Sequence, residues 1–412
     1  MTVSYFAQRL LLASTAIAMT LPDLAFAQAG ADDPNVTVAN RSRPAYDPLG
    51  IRAGSFLVFP ELGITETYSD NIGFDEDDEQ TDFTTLISPS VNFASQWSRH
   101  QLNVEIGSDI AINANESDED FQDVTIDADG TLDVSRQTSV TGSANAGYTH
   151  ESRDDPEEAG DDDLTETFEF GGGAAINHQI NRLGFRFGAE AQRIVFDDND
   201  EDDRNATFYD FALRTSYEVS PRLDVFVEGT YNVEDRDDNV DDNGIQRDTD
   251  AFEGRVGAGL DITSVLFGEF FAGYIVQRFD EADFGNETGV SFGIDLNWNP
   301  TLLTSVGFRG ERDFQPTDEG DAASNLQTEF GVSVDHELLR NLVIGGDFVY
   351  RRDDFRGDDR QDDTYTLGGD LTYWINRNLS VNAGYSYSER DSNEAGTDFQ
   401  VNEVSVGLNF RL

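Results

Sequence analysis

The chain contains no cysteine and no lysine. Without cysteine there is neither a disulfide nor a thiolate metal site, which suits an oxidising envelope compartment but also many other places. Without lysine, all 27 basic residues are arginine, and they face 81 acidic residues, giving a formal net charge of −54. Nucleic acid is a poor partner for such a chain, because phosphate binding needs a basic footprint. Long apolar runs are missing too. After residue 30 none approaches the ~20 residues that a membrane-spanning helix requires. The four histidines, His100, His150, His178 and His336, are scattered, and no Ser, His and acid fall into a nucleophilic motif. Gly171-Gly172-Gly173 is not followed by Lys-Ser/Thr, so it is no phosphate loop. The expectation is therefore that the protein is not an enzyme.

What is present is β structure. The last eight residues, Ser405 to Leu412, alternate strictly: Val406, Leu408, Phe410 and Leu412 share one face, and Ser405, Gly407, Asn409 and Arg411 share the other. Such an edge at the end of a soluble protein would invite aggregation, whereas closing a barrel in a membrane removes it. At the other end, residues 1–27 read as an export signal. Arg9 is the positive region, Leu10 to Leu21 the apolar core, and Ala25-Phe26-Ala27 the cleavage pattern. Residues 28–54 show no sustained period and read as a periplasmic lead-in, which leaves 55–412 for the barrel.

From Ser55 one unit recurs. A strand of ~10–14 residues rises into a long acidic segment, a second strand returns, and a tight turn leads on. The tight turns are Trp97-Ser98-Arg99-His100, Arg136-Gln137, Asn181-Arg182, Ser220-Pro221-Arg222, Thr263-Ser264, Asn299-Pro300, Leu338-Leu339-Arg340-Asn341 and Asn376-Arg377-Asn378. The acidic segments are Asp70–Thr81, Asn115–Asp120, Arg153–Asp163, Asp197–Arg204, Asp235–Thr249, Arg278–Asn286, Arg312–Ser324, Arg352–Asp362 and Asp391–Thr397. Seventeen connections predict eighteen antiparallel strands with both termini on the periplasmic side. The fold class is all-β, a transmembrane antiparallel barrel with long acidic extracellular loops. Trp97, Trp298, Trp374, Tyr148, Tyr217, Tyr350 and Tyr373 stand near strand ends, where interfacial girdles form. Phe399 and Val401 are out of parity with Val404, which predicts a bulge near Asn402-Glu403. A secreted solenoid would show the strict calcium-binding Gly-Gly-x-Gly-x-Asp repeat, and none is present.

Two stretches carry a resemblance. Arg43-Pro44-Ala45-Tyr46-Asp47-Pro48-Leu49-Gly50-Ile51-Arg52-Ala53-Gly54-Ser55-Phe56, with Phe59-Pro60-Glu61-Leu62 and Tyr68-Ser69-Asp70-Asn71-Ile72, resembles the start of the β-barrel porin type 2 family. The tail, with Gly407, Phe410 and Leu412 at the marked positions, resembles the assembly signal of bacterial outer-membrane barrels. The resemblance implies residence in the outer membrane of a Gram-negative, typically alphaproteobacterial, cell. Outer-membrane lipid, lipopolysaccharide and the barrel assembly machinery are the partners it implies.

Parity assigns the lumen face to Glu105, Asp109, Glu169, Glu190, Glu218, Glu228, Asp261, Asp295, Asp335, Asp347 and Asp370, together with Arg186, Arg214, Arg255, Arg309 and Arg411. Excess carboxylate on a pore wall favours cations, and the same groups can brace the wall by pairing across strands. Three functions are consistent with this reading. One is a passive, cation-favouring channel for small polar solutes, and another is a component of surface polysaccharide export or attachment. The third is a non-conducting barrel that displays acidic loops. No cofactor is required, although the loops offer hard oxygen ligands to divalent cations. Asn239 to Gly244, with Asp250, partly matches an EF-hand loop. Arg153–Asp163 and Asp235–Thr249 are the segments that could fold inward as a constriction.

Overall fold

The computed structural model describes residues 36–158, 164–197, 201–238, 240–241, 244–262, 265–281, 284–318, 320 and 322–412. The expected export signal and the turn at Thr263-Ser264 lie outside these residues, as do Asp161 to Asp163 and the Asn239, Asp242 and Asn243 of the EF-hand-like stretch.

A short strand, β1 (Ile51–Ala53), precedes eighteen long ones. The first nine of these are β2 (Phe56–Ser69), β3 (Asp82–Ser95), β4 (Gln101–Asn113), β5 (Phe121–Asp133), β6 (Thr138–His150), β7 (Glu166–Ile180), β8 (Leu183–Phe196), β9 (Ala206–Ser220) and β10 (Leu223–Arg236). The rest are β11 (Thr249–Ile262), β12 (Leu266–Phe279), β13 (Glu287–Thr301), β14 (Thr304–Gln315), β15 (Ser324–Leu339), β16 (Leu342–Arg356), β17 (Gln361–Asn376), β18 (Leu379–Ser392) and β19 (Phe399–Arg411). Each long strand pairs antiparallel with its sequence neighbours, and β19 closes the ring on β2, from Glu403 opposite Ser69 to Arg411 opposite Glu61. At ~3.3 Å per residue, such strands cross an apolar band of ~25 Å at a tilt and still project beyond it.

The alternation read in the sequence sets the two faces. Val404, Val406, Leu408, Phe410 and Leu412 are all exposed on the outside, whereas Asn409 and Arg411 are buried on the inside. Phe168 and Phe170 on β7, and Phe185 and Phe187 on β8, stand outward in the same way. Among the described residues, thirteen buried side chains are apolar and thirty-six are polar or charged. A soluble domain buries its apolar residues, so this inverted interior belongs to a barrel whose outer solvent is lipid.

The eighteen spanning strands match the count read from the turns, but four local expectations are corrected. The turn after β13 is at Leu302-Leu303, not Asn299-Pro300. The ladder is irregular between Trp298 and Thr301, which accommodates Pro300 without a donor, while Asn299 turns inward and accepts a hydrogen bond from Ser305 Oγ at 2.7 Å. The segment Arg352–Asp362 is mostly strand, because Arg352 lies in register with Asp363, 3.5 Å from its carboxylate, and the pair holds β16 against β17. No bulge occurs near Asn402-Glu403; β19 keeps register with β18 throughout, and Phe399 and Val401 point inward, where both are almost fully buried. Trp374 also points inward, away from any interfacial girdle, and is only 4% exposed.

Candidate functional site

The barrel encloses a cavity of about 2010 Å³. Of the lumen residues expected from parity, Glu105, Asp109, Arg186, Glu190, Asp295, Arg309, Asp335, Asp347, Asp370 and Arg411 line it. Glu169, Arg214, Glu218, Glu228, Arg255 and Asp261 do not. Glu169 accepts from Gln192 Nε2 at 2.9 Å. Arg214 reaches Glu228 at 2.6 Å and Glu269 at 2.9 Å, and Arg255 reaches Glu253 at 2.5 Å and Glu228 at 3.4 Å. The two guanidinium groups lie over the rings of Phe226 and Phe271, 3.9 and 4.5 Å from their centroids. The wall formed by β9 to β12 is thus filled by its own paired side chains and leaves the open space to the other strands.

The open walls are acidic. On β4 and β5, Glu105 faces Asp127 and Asp109 faces Asp123 in register, like charge opposite like charge. Asp123, Asp129 and Asp133 line the cavity and were missed by the sequence reading, although their spacing of Val124, Ile126 and Ala128 carried the period-two signal. On the far side Asp370 lies opposite Gly345 and Asp347 opposite Gly368. A Cβ at either glycine would overlap the aspartate carboxylate, so both glycines make room for a lumen-facing charge. Among the described lining residues, fourteen carboxylates face four arginines.

At the extracellular end the segment between β6 and β7 folds inward. The Asp154 carbonyl accepts from Arg351 Nη2 at 2.6 Å and from Arg390, and the Pro156 carbonyl accepts from Arg360 Nη2 at 3.2 Å. Those arginines stand on or beside β16, β17 and β18. In a ring of eighteen, β7 and β16 are nine places apart, so the segment spans the mouth. Glu157 accepts from Thr317 Oγ1 at 2.5 Å and from the Asp318 amide at 3.2 Å, joining this roof to the β14–β15 connection. Asp318 in turn meets Arg204 at 3.3 Å, Arg236 at 2.5 Å and Arg247 at 3.9 Å. Arg247 also donates to the carbonyls of Thr317, Ala322 and Gly320 at 2.6–3.0 Å, pinning the β10–β11 connection to the same place. Of the two segments expected to fold inward, the described part of Arg153–Asp163 crosses the lumen, and that of Asp235–Thr249 buttresses the roof.

Burial perturbs the roof's ionisable groups. Burial raises Glu151 well above the usual carboxylate range; Arg204 opposes the rise, and Asp155 and Glu158 reinforce it. Asp155 is raised by burial as well. Burial would lift Asp318 too, but Arg236, Arg204 and Arg247 outweigh it and hold its carboxyl below the ordinary value. Asp241, in the EF-hand-like stretch, gives its carboxylate to Arg247 at 2.8 Å. The described residues contain no group of three or more His, Asp or Glu side chains placed to hold a metal. His150 pairs with Asp123 at 2.9 Å and stacks on Phe121.

The periplasmic end holds a feature the sequence did not announce. Residues 36–50, part of the expected periplasmic lead-in, run inside the rim, and Ala39, Asn40, Asp47 and Pro48 help line the cavity. Val38 packs fully buried against Val343 and Trp374, and Arg43 lies 4.5 Å over the Trp374 ring.

A closed antiparallel barrel of eighteen strands, apolar outside and polar within, defines a porin-like channel of the outer membrane. The profile of the family described as Putative beta-barrel porin 2 matches residues 43–412, and the chain belongs to that family. Among solved structures, OpdL of Pseudomonas aeruginosa shares 13% identity, with 87% of this chain and 99% of that one covered, at a TM-score of 0.45. OpdK of the same organism shares 10%, over 86% and 99% of the two chains, with a TM-score of 0.47. OccAB2 of Acinetobacter baumannii shares 12%, over 87% and 99%, with a TM-score of 0.46. No curated protein matches the chain.

Proposed function

We propose that the barrel is a passive channel for small polar solutes that favours cations and carries out no reaction. The observation that supports this is the cavity lining, fourteen carboxylates against four arginines. A monovalent cation ~6 Å from one unpaired carboxylate gains ~0.7–3 kcal/mol at effective dielectrics between 80 and 20. That gain is roughly a three- to hundredfold enrichment over bulk, before neighbouring carboxylates add to it. Asp335, Asp347 and Asp370 would carry most of the effect on one wall, and Glu105, Asp109, Asp123 and Asp129 on the other. The braced pairs Arg214–Glu228 and Arg255–Glu253 cancel locally and contribute shape rather than charge.

The reversal potential in a planar bilayer under a salt gradient tests the reading. A cation-selective sign is expected, weakened in the triple variant Asp335→Asn, Asp347→Asn, Asp370→Asn. Anion selectivity would overturn it. The inward roof favours a second reading, a barrel that does not conduct and only displays its acidic surface; absence of conductance steps at every voltage would establish it. Under either reading the proposed partners are lipopolysaccharide, bridged to the acidic connections by divalent cations, and the assembly machinery that takes up β19.

A further inference from the structure

We propose that residues 36–53 are a latch that holds the barrel's closing seam. The seam is where the first and last long strands meet, and it is the place where a barrel can open sideways. Here β19 covers only part of the β2 edge: pairing stops at Arg411 opposite Glu61, with Leu412 N donating to the Pro60 carbonyl at 3.2 Å. Below that point β2 would show an open edge from Phe56 to Val58. The strand β1 pairs with those residues, Ile51 opposite Val58 and Ala53 opposite Phe56. The other edge of β2 belongs to β3 along its whole length, so β1 lies in line with β19 and completes the edge it leaves. Pro60, which has no N–H to satisfy, marks the change of partner.

The latch is anchored far from the seam. Gly54, at φ +64°, permits the tight reversal from β2 into β1, and the chain then runs backward inside the rim. Tyr46 O accepts from Arg411 Nη2 on β19 at 3.4 Å, and Pro44 O accepts from Arg377 Nη2 in the β17–β18 turn at 2.7 Å. Arg43 lies on Trp374 of β17 and reaches Glu337 of β15 at 3.9 Å, while Arg41 donates to the Leu302 carbonyl between β13 and β14. Val38 N donates to Ser305 Oγ of β14 at 2.7 Å, and Val36 O accepts from Asn299 Nδ2 of β13 at 3.2 Å. Six strands, β13 to β17 and β19, and the turn that leads into β18 are thereby tied through one peptide to the strand they must close upon. Three of the contacts are arginine to carbonyl, a charge-assisted class of hydrogen bond, and a fourth pairs Arg43 with the buried Glu337 carboxylate. A segment that merely filled space would need none of them.

Hydrogen exchange of the full-length protein in nanodiscs tests the latch. Arg43→Ala removes the hydrogen bonds to the Val38 and Arg41 carbonyls and the contacts with Trp374 and Glu337, and should speed exchange of the amides at 61–69 and 403–411 at least about tenfold. The β8–β10 wall, away from the seam, should not change. Because the chain has no cysteine, Val38→Cys with Val343→Cys can be added cleanly. Its oxidised form should restore seam protection to the Arg43→Ala protein, and reduction should remove it again. If Arg43→Ala fails to assemble, Arg43→Gln replaces it in the same comparison. Unchanged exchange at the seam, acceleration spread evenly around the ring, or no rescue by the cystine would each overturn the proposal. Conduction is not the readout, so the latch stands or falls separately from cation preference.

Discussion

Asp318→Asn tests whether the extracellular roof is held shut by charge. The carboxylate sits among Arg204, Arg236 and Arg247, each at 10% side-chain exposure or less. The amide keeps the shape and removes the charge. Each arginine retains at least one other acid: Glu151 and Glu201 for Arg204, both at 2.9 Å, Glu234 for Arg236 at 2.8 Å and Asp241 for Arg247 at 2.8 Å. Breaking a buried pair outright costs ~3–5 kcal/mol, so with these partners left the loss should be ~2–3 kcal/mol. At 1.4 kcal/mol per tenfold, the closed-to-open ratio of the roof should fall roughly thirty- to hundredfold. All three pairs join connections or strand ends, so the barrel ladder itself should be unaffected. Single-channel recording at neutral pH should show a much higher open probability, and trypsin should cut whole cells at Arg204 or Arg247. An unchanged open probability together with unchanged protease resistance would refute the electrostatic account. Loss of the barrel's heat stability would refute its confinement to the roof.

Three further expectations concern pH, one buried ring and the tail. Glu151 and Asp155 have raised folded pKa values, so their contribution to roof stability is complete below the usual 4.5 and 3.8 and is lost as pH rises through the folded values. Asp318, held low, contributes above 3.8 and loses its share as pH falls through its folded value. Acidification from neutrality toward 4.5 should therefore lower open probability, and the trend should reverse below 3.8; a monotonic rise on acidification would contradict this. Phe355→Ala removes a ring that is 1% exposed inside the extracellular end and should cost ~3–5 kcal/mol, read as a lower temperature for the mobility shift of folded barrel on cold gels. Deleting Phe410 to Leu412 shortens the seam and removes two outward apolar side chains; outer-membrane insertion should be lost, and normal assembly of the truncated chain would count against a closing role for β19.

The barrel was legible because its physics is local. A strand facing lipid on one side and water on the other must alternate, and Val406-Gly407-Leu408-Asn409-Phe410-Arg411-Leu412 does so without reference to any other part of the chain. Strand number followed from counting turns. Legibility failed where an inward side chain met something distant. Phe399, Val401 and Trp374 look misplaced in their own strands, since an apolar residue on the lumen face has no local justification. Phe399 is explained by Phe74 and Arg390, whose ring centroid and guanidinium lie 5.0 and 4.7 Å away, and Trp374 by Val38 and Arg43. Phe74 comes from a loop and Val38 and Arg43 from the N-terminal segment, while Arg390 is the cross-strand neighbour of Phe399 on β18, and no periodicity within a strand links them. The bulge expected near Asn402-Glu403 and the girdle place expected for Trp374 rest on local parity alone, which these partners override.

The missing lysine belongs to the same account. Both ends of this lumen are closed upon by chain segments whose exposed hydrogen-bonding groups are mostly backbone carbonyls: Asp154 and Pro156 above, Val38, Pro44 and Tyr46 below. A carbonyl in a solvent-poor site needs a donor that stays protonated and can serve a second acceptor at once. Arg247 donates to four carbonyls while pairing with Asp241, and Arg43 joins Val38 O, Arg41 O and the Trp374 ring. An ammonium group is a compact, strongly hydrated charge without the planar fork, and its pKa falls readily on burial. In a chain with 81 acidic residues, lysine would have served surface neutralisation well enough. It could not have replaced arginine where loops and leader are drawn into the barrel, and those sites hold Arg41, Arg43, Arg247, Arg351, Arg360 and Arg390, all buried.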